Sequence, residues 1–334
     1  MQNRNTEIES HGAAPRGLVL AAFAAIYLIW GSTYLGIRFA VETIPPFLLG
    51  GARFLLAGVV LHAWLRFKGV PSPSGYHWRN AAVVGGLLLG VGNGGVNWAE
   101  QKVASSFTAL LIAITPLWFV LLDWLRPHGT RPSLQTMLGI VVGFAGVAML
   151  VGGPAVARRN AVDLPGAAAL MIASIAWASG SLYARYTPKP DSSLMAGSMQ
   201  MLAGGAVLLG VGLLSGEATT VDWSNISSRS AWAFLYLTVV GSLIGFTAFS
   251  WLLKVSAPAR VATYAYVNPV IAVFLGWTIG GESLTRPMIW SAAVIILGVV
   301  IITTKKTPAV AAAEQPRTTV VGASVDSSEL VEGN

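Results

Sequence analysis

The chain has 334 residues, of which 54% are hydrophobic and only 10% are charged, and its formal net charge is +7. Soluble domains carry about 25% charged residues, so this composition excludes an ordinary soluble protein and predicts a membrane protein. The basic residues are scattered singly rather than clustered on one face, which argues against nucleic-acid binding. With no cysteine and no ligand spacing among the four histidines, no metal site and no cofactor are predicted.

Apolar runs about twenty residues long recur from residue 18 onward. The polar residues 1–17 are expected to form a cytoplasmic tail, and the run after them is too long for a signal-peptide core, so we interpret it as a retained first span. Residues 305–334 have no periodicity and are expected to be a disordered cytoplasmic tail. Ten spans are predicted, at 18–38, 46–65, 79–98, 104–125, 134–152, 164–184, 194–214, 230–252, 259–280 and 286–304.

The distribution of Lys and Arg predicts the orientation of these spans. With the N-terminus in the cytoplasm, most of the 21 basic residues fall in inner loops and tails, as the positive-inside rule requires. Both termini are therefore expected in the cytoplasm. The basic residues left for the outer loops are Arg38, Lys102, Arg158, Arg159, Arg229 and Arg286, with Arg53 inside a span.

Matching residues at a near-constant separation indicate an internal repeat. The matches are Trp30 with Trp177, Arg38 with Arg185, Trp98 with Trp251, and Pro116 with Pro269. They predict two five-span repeats, 18–152 and 164–304, joined by an outer linker at 153–163. Because five is odd, the second repeat enters the membrane from the opposite side, which is the architecture of many secondary transporters. A duplication that merely enlarges the helix bundle is the alternative.

Polar and aromatic residues within the spans occur as pairs four residues apart, so both members of each pair lie on one helix face. Polar groups in membrane helices usually face the bundle interior or a cavity. We therefore predict a central substrate cavity, although hydrogen bonding between packed helices is an alternative role for each residue. The pairs are Trp30 and Tyr34, Asn93 and Asn97, Trp177 and Ser181, and Tyr264 and Asn268.

Two prolines and two charged residues complete the predicted site. Pro116 and Pro269 each free a backbone carbonyl in mid-span, so each is predicted to be a hinge or a tolerated bend. Arg53 lies within the second span and Glu100 near the outer end of the third. We interpret them as a charge pair, an outer gate or a contact for a substrate carboxylate.

Five segments together resemble the EamA family of the drug/metabolite transporter superfamily, in the form of its bacterial inner-membrane exporters. The segments are WGSTYLGIRFA (30–40), ARFLLAG (52–58), GNGGVNWAE (92–100), YAYVNPVIAVFLG (264–276) and GGESLT (280–285). The resemblance implies ten spans in two inverted repeats and secondary export of amino acids or other small metabolites. It also implies that Trp30, Asn93, Asn97, Trp177, Tyr264 and Asn268 line the cavity. Proton exchange is implied too, although no carboxylate lies at mid-membrane.

Other functions remain open at this point. Ser179-Gly180-Ser181 raises the hypothesis of an intramembrane serine hydrolase, but the only histidine within a span is His62, and a serine nucleophile needs a nearby base. A passive channel is disfavoured because the spans carry no charge rings. We therefore expect that the chain is not an enzyme. We expect a transporter of a small molecule that lies in the lipid bilayer as a monomer or a homodimer.

Overall fold

The structure is a computed structural model that describes residues 15–127, 129, 131–152, 163–256, 258–261 and 263–303. All regular secondary structure within these residues is helical, and they contain no strand. The predicted all-α class is therefore confirmed. The expected tails and outer linker lie almost entirely outside the described residues.

The first half of the chain folds into segments that we label α1 to α5. Proline begins α2, where its fixed φ suits the first turn and its missing N–H is not needed. The segments are α1 (Arg16–Ala40), α2 (Pro46–Phe67), α3 (Gly75–Gly85, a π-helix at Gly86–Asn93, and Gly94–Ala99), α4 (Ser105–Ile112 and Thr115–Leu125) and α5 (Leu134–Gly152).

The second half forms segments α6 to α10 together with two short helices between α7 and α8, Glu217–Thr220 and Trp223–Asn225. Asp163 and Ser192 cap the N-termini of α6 and α7 by accepting backbone N–H groups of the first turn. The segments are α6 (Leu164–Tyr186), α7 (Ser193–Leu214), α8 (Ser228–Tyr236, a π-helix at Leu237–Ile244, and Gly245–Val255), α9 (Pro258–Val261 and Tyr264–Thr278) and α10 (Arg286–Thr303).

Length and hydropathy identify membrane-spanning helices among these segments. Within the described residues, seven are long and apolar enough to cross a bilayer, namely α1, α2, α4, α5, α6, α7 and α8. A shorter apolar helix covers Arg286–Ile302. The chain is therefore a multi-span membrane protein. The predicted count of ten spans is larger than the seven helices that meet these criteria of length and hydropathy.

The two matched prolines differ in local structure. α4 is interrupted after Ile112, and Pro116 is the second residue of the helix that resumes at Thr115. A proline there removes no helical hydrogen bond, because the first N–H groups of a helix have no partner within it. Pro269 instead lies inside the continuous helix Tyr264–Thr278, where its missing N–H leaves a carbonyl of the preceding turn without a helical donor.

Glycines allow α7 to pack closely on both α2 and α3. A Cβ added to Gly51 of α2 would lie 2.7 Å from the backbone nitrogen of Leu209, and a Cβ on Gly204 would lie 2.5 Å from the carbonyl oxygen of Gly85. Side chains at these positions would force the helices apart. Small residues make such close approach possible in membrane bundles, where lipid supplies no hydrophobic drive for helix association.

The π-helices of α3 and α8 occupy equivalent places in the two halves of the chain. Each has eight residues, Gly86–Asn93 and Leu237–Ile244, and each is followed by a glycine at which α-helical geometry resumes. π-Helical turns are rare and occur mostly at functional sites. No feature of the sequence pattern predicted them, yet both adjoin residues of the predicted cavity.

Candidate functional site

Three aromatic rings form a cluster between α1, α8 and α9. The ring centroids of Trp30 and Tyr264 lie 5.0 Å apart in an edge-to-face arrangement, and the ring of Phe249 lies 5.1 Å from Trp30 and 5.9 Å from Tyr264. Trp30 Nε1 donates to the carbonyl oxygen of Gly241 at 3.4 Å. The structure thus brings together two predicted cavity residues. Sequence reasoning missed Phe249, because one phenylalanine in an apolar run is indistinguishable from a packing residue.

Asn268 lies where α9 contacts α1. In the amide orientation that satisfies its hydrogen bonds, its nitrogen donates to the carbonyl oxygens of Tyr264 at 3.2 Å and Tyr27 at 3.3 Å. Gly31 of α1 packs here, since a Cβ on it would lie 2.7 Å from the Cβ of Ile271. The amide therefore links α9 to the backbone of α1, and Asn268 itself is buried.

Asn93 and Asn97 provide acceptor atoms on α3. Asn97 is fully buried, and its Nδ2 donates to the carbonyl oxygen of Pro46 at 3.1 Å. Its close neighbour on α2 is Gly50, on which a Cβ would lie 2.8 Å from Nδ2. The Oδ1 atoms of both asparagines are buried and accept no hydrogen bond from the described part of the chain. Because an unsatisfied buried acceptor costs about 1–3 kcal/mol, these oxygens are suited to accept from a donor on a bound molecule.

The remaining predicted cavity residues are partly buried. Trp177 of α6 packs against α3, where a Cβ on Gly92 would lie 3.1 Å from its Cε3. Ser181 follows Trp177 by one helical turn, and Tyr34 follows Trp30 by one turn on α1. These contacts join α1 to α9 and, separately, α3 to α6. A single cavity lined by residues of both helix pairs stays a prediction.

The predicted charge pair between Arg53 and Glu100 is not formed. Arg53 is 5% exposed, and its Nε donates to Ser242 Oγ at 3.0 Å. Both carboxylate oxygens of Glu100 are buried and have no hydrogen-bond partner among the described residues. The two side chains point to different places, because Arg53 extends from α2 to the π-helix of α8, whereas Glu100 lies at the end of α3.

Glu100 directly follows the last helical residue of α3 and is fully buried. Arg38 donates to the backbone carbonyl oxygens of Glu100 at 2.6 Å and Gln101 at 3.0 Å, not to the carboxylate. Burial raises the pKa of Glu100 well above its ordinary value, and repulsion from Glu282 raises it further against the opposing effect of Arg38. The neutral form of this carboxyl group is therefore favoured in the folded protein.

We call the end of the bundle with the α1–α2 and α3–α4 connections the outer end. At this end a second carboxylate, that of Glu282, bridges the two halves of the chain. It accepts from the backbone N–H and the hydroxyl of Ser105, both at 2.7 Å, and from the same two groups of Ser106, the backbone N–H at 3.0 Å. Gly281, at φ +66°, turns the chain toward α4, and Gly276 leaves room for the carboxylate. Glu282 thus caps the N-terminus of α4.

Glu217 makes a similar bridge at the outer end. Its carboxylate accepts from the backbone N–H groups of Phe47, at 3.1 Å to Oε2, and Leu48, at 2.8 Å. It therefore caps α2 from the connection that follows α7. Sequence reasoning missed both capping roles. The available signal was that the N-termini of α2 and α4 have no side-chain cap of their own, so their N–H groups need an acceptor from elsewhere.

A cavity of about 430 Å³ opens beside Glu217. It is lined by the α1–α2 connection at residues 41–47, by Trp98 and Gln101, and by residues between 215 and 222. None of the eight predicted substrate residues lines it. The cavity is therefore a feature of the outer end and is separate from the aromatic cluster of Trp30 and Tyr264.

The model of the EamA-like transporter family matches the chain in two stretches, residues 15–152 and 164–304. These stretches include the aromatic cluster, the buried asparagines and both bridging carboxylates, and they cover most of the chain. The chain belongs to the EamA family. It is therefore a membrane transporter, as the resemblance of its segments implied.

Individual EamA relatives agree with this assignment. The chain is 39% identical over 284 residues to the uncharacterized inner membrane transporter YedA of Escherichia coli K12, covering 84% of this chain and 89% of YedA. It is 27% identical over 280 residues to protein PecM of Dickeya dadantii, covering 80% and 88%. A solved crystal structure shares the fold, with a TM-score of 0.58 at 20% identity, covering 86% of this chain and 98% of that one.

The geometry gives no support to a serine hydrolase. The hydroxyl of Ser179 donates to the carbonyl oxygen of Ile175 at 2.8 Å. His62 Nδ1 lies 3.2 Å from the hydroxyl of Ser198, which is fully buried and also donates to Met195. Within the described residues, no group of three or more His, Asp or Glu side chains could hold a metal ion.

Proposed function

We propose that this EamA protein is a secondary transporter of the bacterial inner membrane that exports amino acids or other small amphipathic metabolites. The family assignment supports transport, and the similarity to an inner membrane transporter supports the location. Both termini lie in the cytoplasm in this proposal, in accord with the distribution of Lys and Arg. A reporter enzyme that is active only in the periplasm, fused to the C-terminus, tests this orientation. It should stay inactive.

The proposed architecture is ten spans in two inverted five-helix repeats, 18–152 and 164–304. Three segments join the seven long apolar helices to make ten: Gly75–Ala99, Tyr264–Thr278 and Arg286–Thr303. The two stretches that match the family model support the division. Close glycine packing of α2 on α7 and of α5 on α10 adds support, since each pair joins a helix to its counterpart in the other half.

The hydrogen bonds of the Glu217 and Glu282 carboxylates are the main support for an alternating-access mechanism. Glu217 joins the end of α7 to the start of α2, and Glu282 joins the end of α9 to the start of α4. Each links one half of the chain to the other at the outer end. Alternating access requires such contacts to form and break, so we interpret this state as closed at the outer end.

The proposed substrate site combines the aromatic cluster with the polar residues of α3, α6 and α9. Trp30, Tyr264 and Trp177 provide apolar walls, and the unpaired Oδ1 atoms of Asn93 and Asn97 provide acceptors. Small-molecule sites typically pair an apolar lining with a few fixed polar groups. Tyr34, Ser181 and Asn268 complete the proposed set.

Transport is tested by comparing metabolites retained and released by cells with and without the protein. Compounds released only by cells that contain it are the expected result, and identical profiles would refute export. Reconstituted vesicles then test proton coupling, which is proposed from the family alone. If the flux of an identified compound does not change when a proton gradient is imposed, this coupling is excluded.

Substitution tests the site itself. Asn97→Leu and Asn268→Leu should abolish release while folded protein remains in the membrane. Asn80→Leu is the matched control, because Asn80 is also a buried amide that donates to a backbone carbonyl, that of Pro188 at 2.9 Å, but lies outside the proposed site. Normal flux in both site variants would rule out the assignment.

A further inference from the structure

Arg53 is a buried cation whose role the proposed mechanism does not explain. It lies seven residues after Pro46 on α2, about 10 Å along the helix at 1.5 Å per residue, and is 5% exposed. A guanidinium group has five N–H donors. Nε donates to Ser242, but Nη1 is buried and has no hydrogen-bond partner among the residues that the structure describes.

No carboxylate of the described residues forms an ion pair with this guanidinium. Among the described residues, the ion pairs are Arg126 with Asp123 and Arg229 with Glu42, and none involves Arg53. The ring of Phe54 packs against the guanidinium, with its centroid 4.7 Å from Cζ. A charge inside a membrane protein is costly unless it is paired, and such residues usually mark a ligand or ion pathway.

Arg53 also adjoins the aromatic part of the proposed site. Trp30 Nε1 donates to the carbonyl oxygen of Gly241, and a Cβ on Gly241 would lie 3.4 Å from Nη2 of Arg53 and 3.3 Å from Cγ2 of Thr33. Trp30 and Arg53 therefore meet at one residue of the π-helix in α8. The guanidinium of Arg53 and the indole of Trp30 thus lie against the same turn of α8.

We propose that Arg53 binds the anionic group, a carboxylate or another oxyanion, of the molecule that the protein transports. Its planar guanidinium matches the geometry of such a group, and the unused Nη1 provides the donor. The aromatic cluster then contacts the apolar part of the same molecule. This inference rests on the proposed export function and narrows its substrates to amphipathic anions and zwitterions.

The first test measures the stability of the purified protein without substrate. An unpaired charge kept for a ligand destabilises the empty protein, so Arg53→Met should melt at the same or a higher temperature than the unmodified chain. Ser242→Ala, which removes the hydrogen-bond partner but keeps the charge, should lower the melting temperature. A lower melting temperature for Arg53→Met, or its loss from the membrane, would assign Arg53 a structural role and overturn the proposal.

The second test uses the metabolite comparison with Arg53→Met and Arg53→Lys. Every compound whose release depends on the protein should carry an oxyanion, and Arg53→Met should reduce its release by about tenfold or more. Arg53→Lys should retain part of the release, because it keeps the charge but not the planar fork. Sorting the compounds into carboxylates and phosphates identifies the group that is bound.

The outcomes of the second test separate the two proposals. Protein-dependent release of compounds without an anionic group, or undiminished release by Arg53→Met, overturns the role of Arg53 and leaves export standing. The absence of any protein-dependent compound in cells with the unmodified chain overturns export itself, and the Arg53 proposal falls with it.

Discussion

The carboxylate of Glu282 accepts two hydrogen bonds from Ser105, one from its backbone N–H and one from its hydroxyl, each 2.7 Å long. The two residues are 177 positions apart in the chain. One acidic side chain of the second half thus holds the first turn of a helix in the first half. Hydrogen bonds to a charged acceptor are worth about 1.5–3 kcal/mol each, so this contact is strong enough to control an opening motion.

We expect Glu282→Gln to open the outer end, because an amide keeps one acceptor oxygen but loses the charge. The chain has no cysteine, so Thr108→Cys provides a single label site. Thr108 is fully buried and lies one turn along α4 from Ser105. A membrane-impermeant maleimide added from outside should label it at least about tenfold faster when Glu282 is replaced.

Glu42→Gln is the control for this labelling experiment. Glu42 pairs with Arg229 at 3.4 Å, and both side chains are substantially exposed, so its loss should have little effect. Equal labelling rates in the Glu282→Gln and unmodified backgrounds would show that Glu282 does not hold the outer end closed.

Gly85→Ala and Gly204→Ala should each destabilise the protein by about 1–3 kcal/mol, because the new methyl group enters the contact between α3 and α7. Gly86→Ala and Gly210→Ala are matched controls on the same two helices, since no described residue of another helix lies within 4 Å of a Cβ at either position. Thermal unfolding in detergent measures the difference. Helix propensity alone would stabilise all four variants, because alanine is a better helix former than glycine. Similar losses in all four would therefore show that the close contacts at Gly85 and Gly204 do not set the effect.

Glu100→Gln should stabilise the protein at neutral pH and flatten its pH dependence. Burial raises the pKa of Glu100, so the folded state binds its proton more tightly than the unfolded state. Stability is therefore lost as the pH rises from about 4.3, the ordinary value of glutamate, toward the raised value. Glutamine mimics the neutral form and removes this loss. Parallel melting curves from pH 5 to 9 for both proteins would contradict the prediction, and Glu42→Gln is the exposed control.

The prolines should differ in their effect on transport. Pro269→Ala restores a backbone N–H inside a continuous helix, so it should stiffen α9 and slow transport of an identified compound while raising thermal stability. Pro116→Ala should change stability less, because Pro116 lies in the first turn of a helix, where no hydrogen bond is lost. Unchanged flux in Pro269→Ala would exclude a hinge at this position.

The sequence by itself determined the membrane character, the helical class, the family and most helix boundaries. The predicted span 134–152 coincides with Leu134–Gly152, and the predicted span 46–65 differs by two residues from Pro46–Phe67. This succeeds because a bilayer imposes a length and a hydropathy on each span, and both are local properties of the chain. Placement of Tyr264 and Asn268 on one helix face followed from helical spacing for the same reason.

Only the tertiary structure decided which polar groups meet. The spacing could not show that Arg53 reaches Ser242 instead of Glu100, nor that Glu282 reaches Ser105. Such contacts depend on how helices distant in sequence are arranged and rotated against one another. The same arrangement leaves Nη1 of Arg53 and the Oδ1 atoms of Asn93 and Asn97 without a hydrogen-bond partner among the described residues, and these groups support the proposed substrate site.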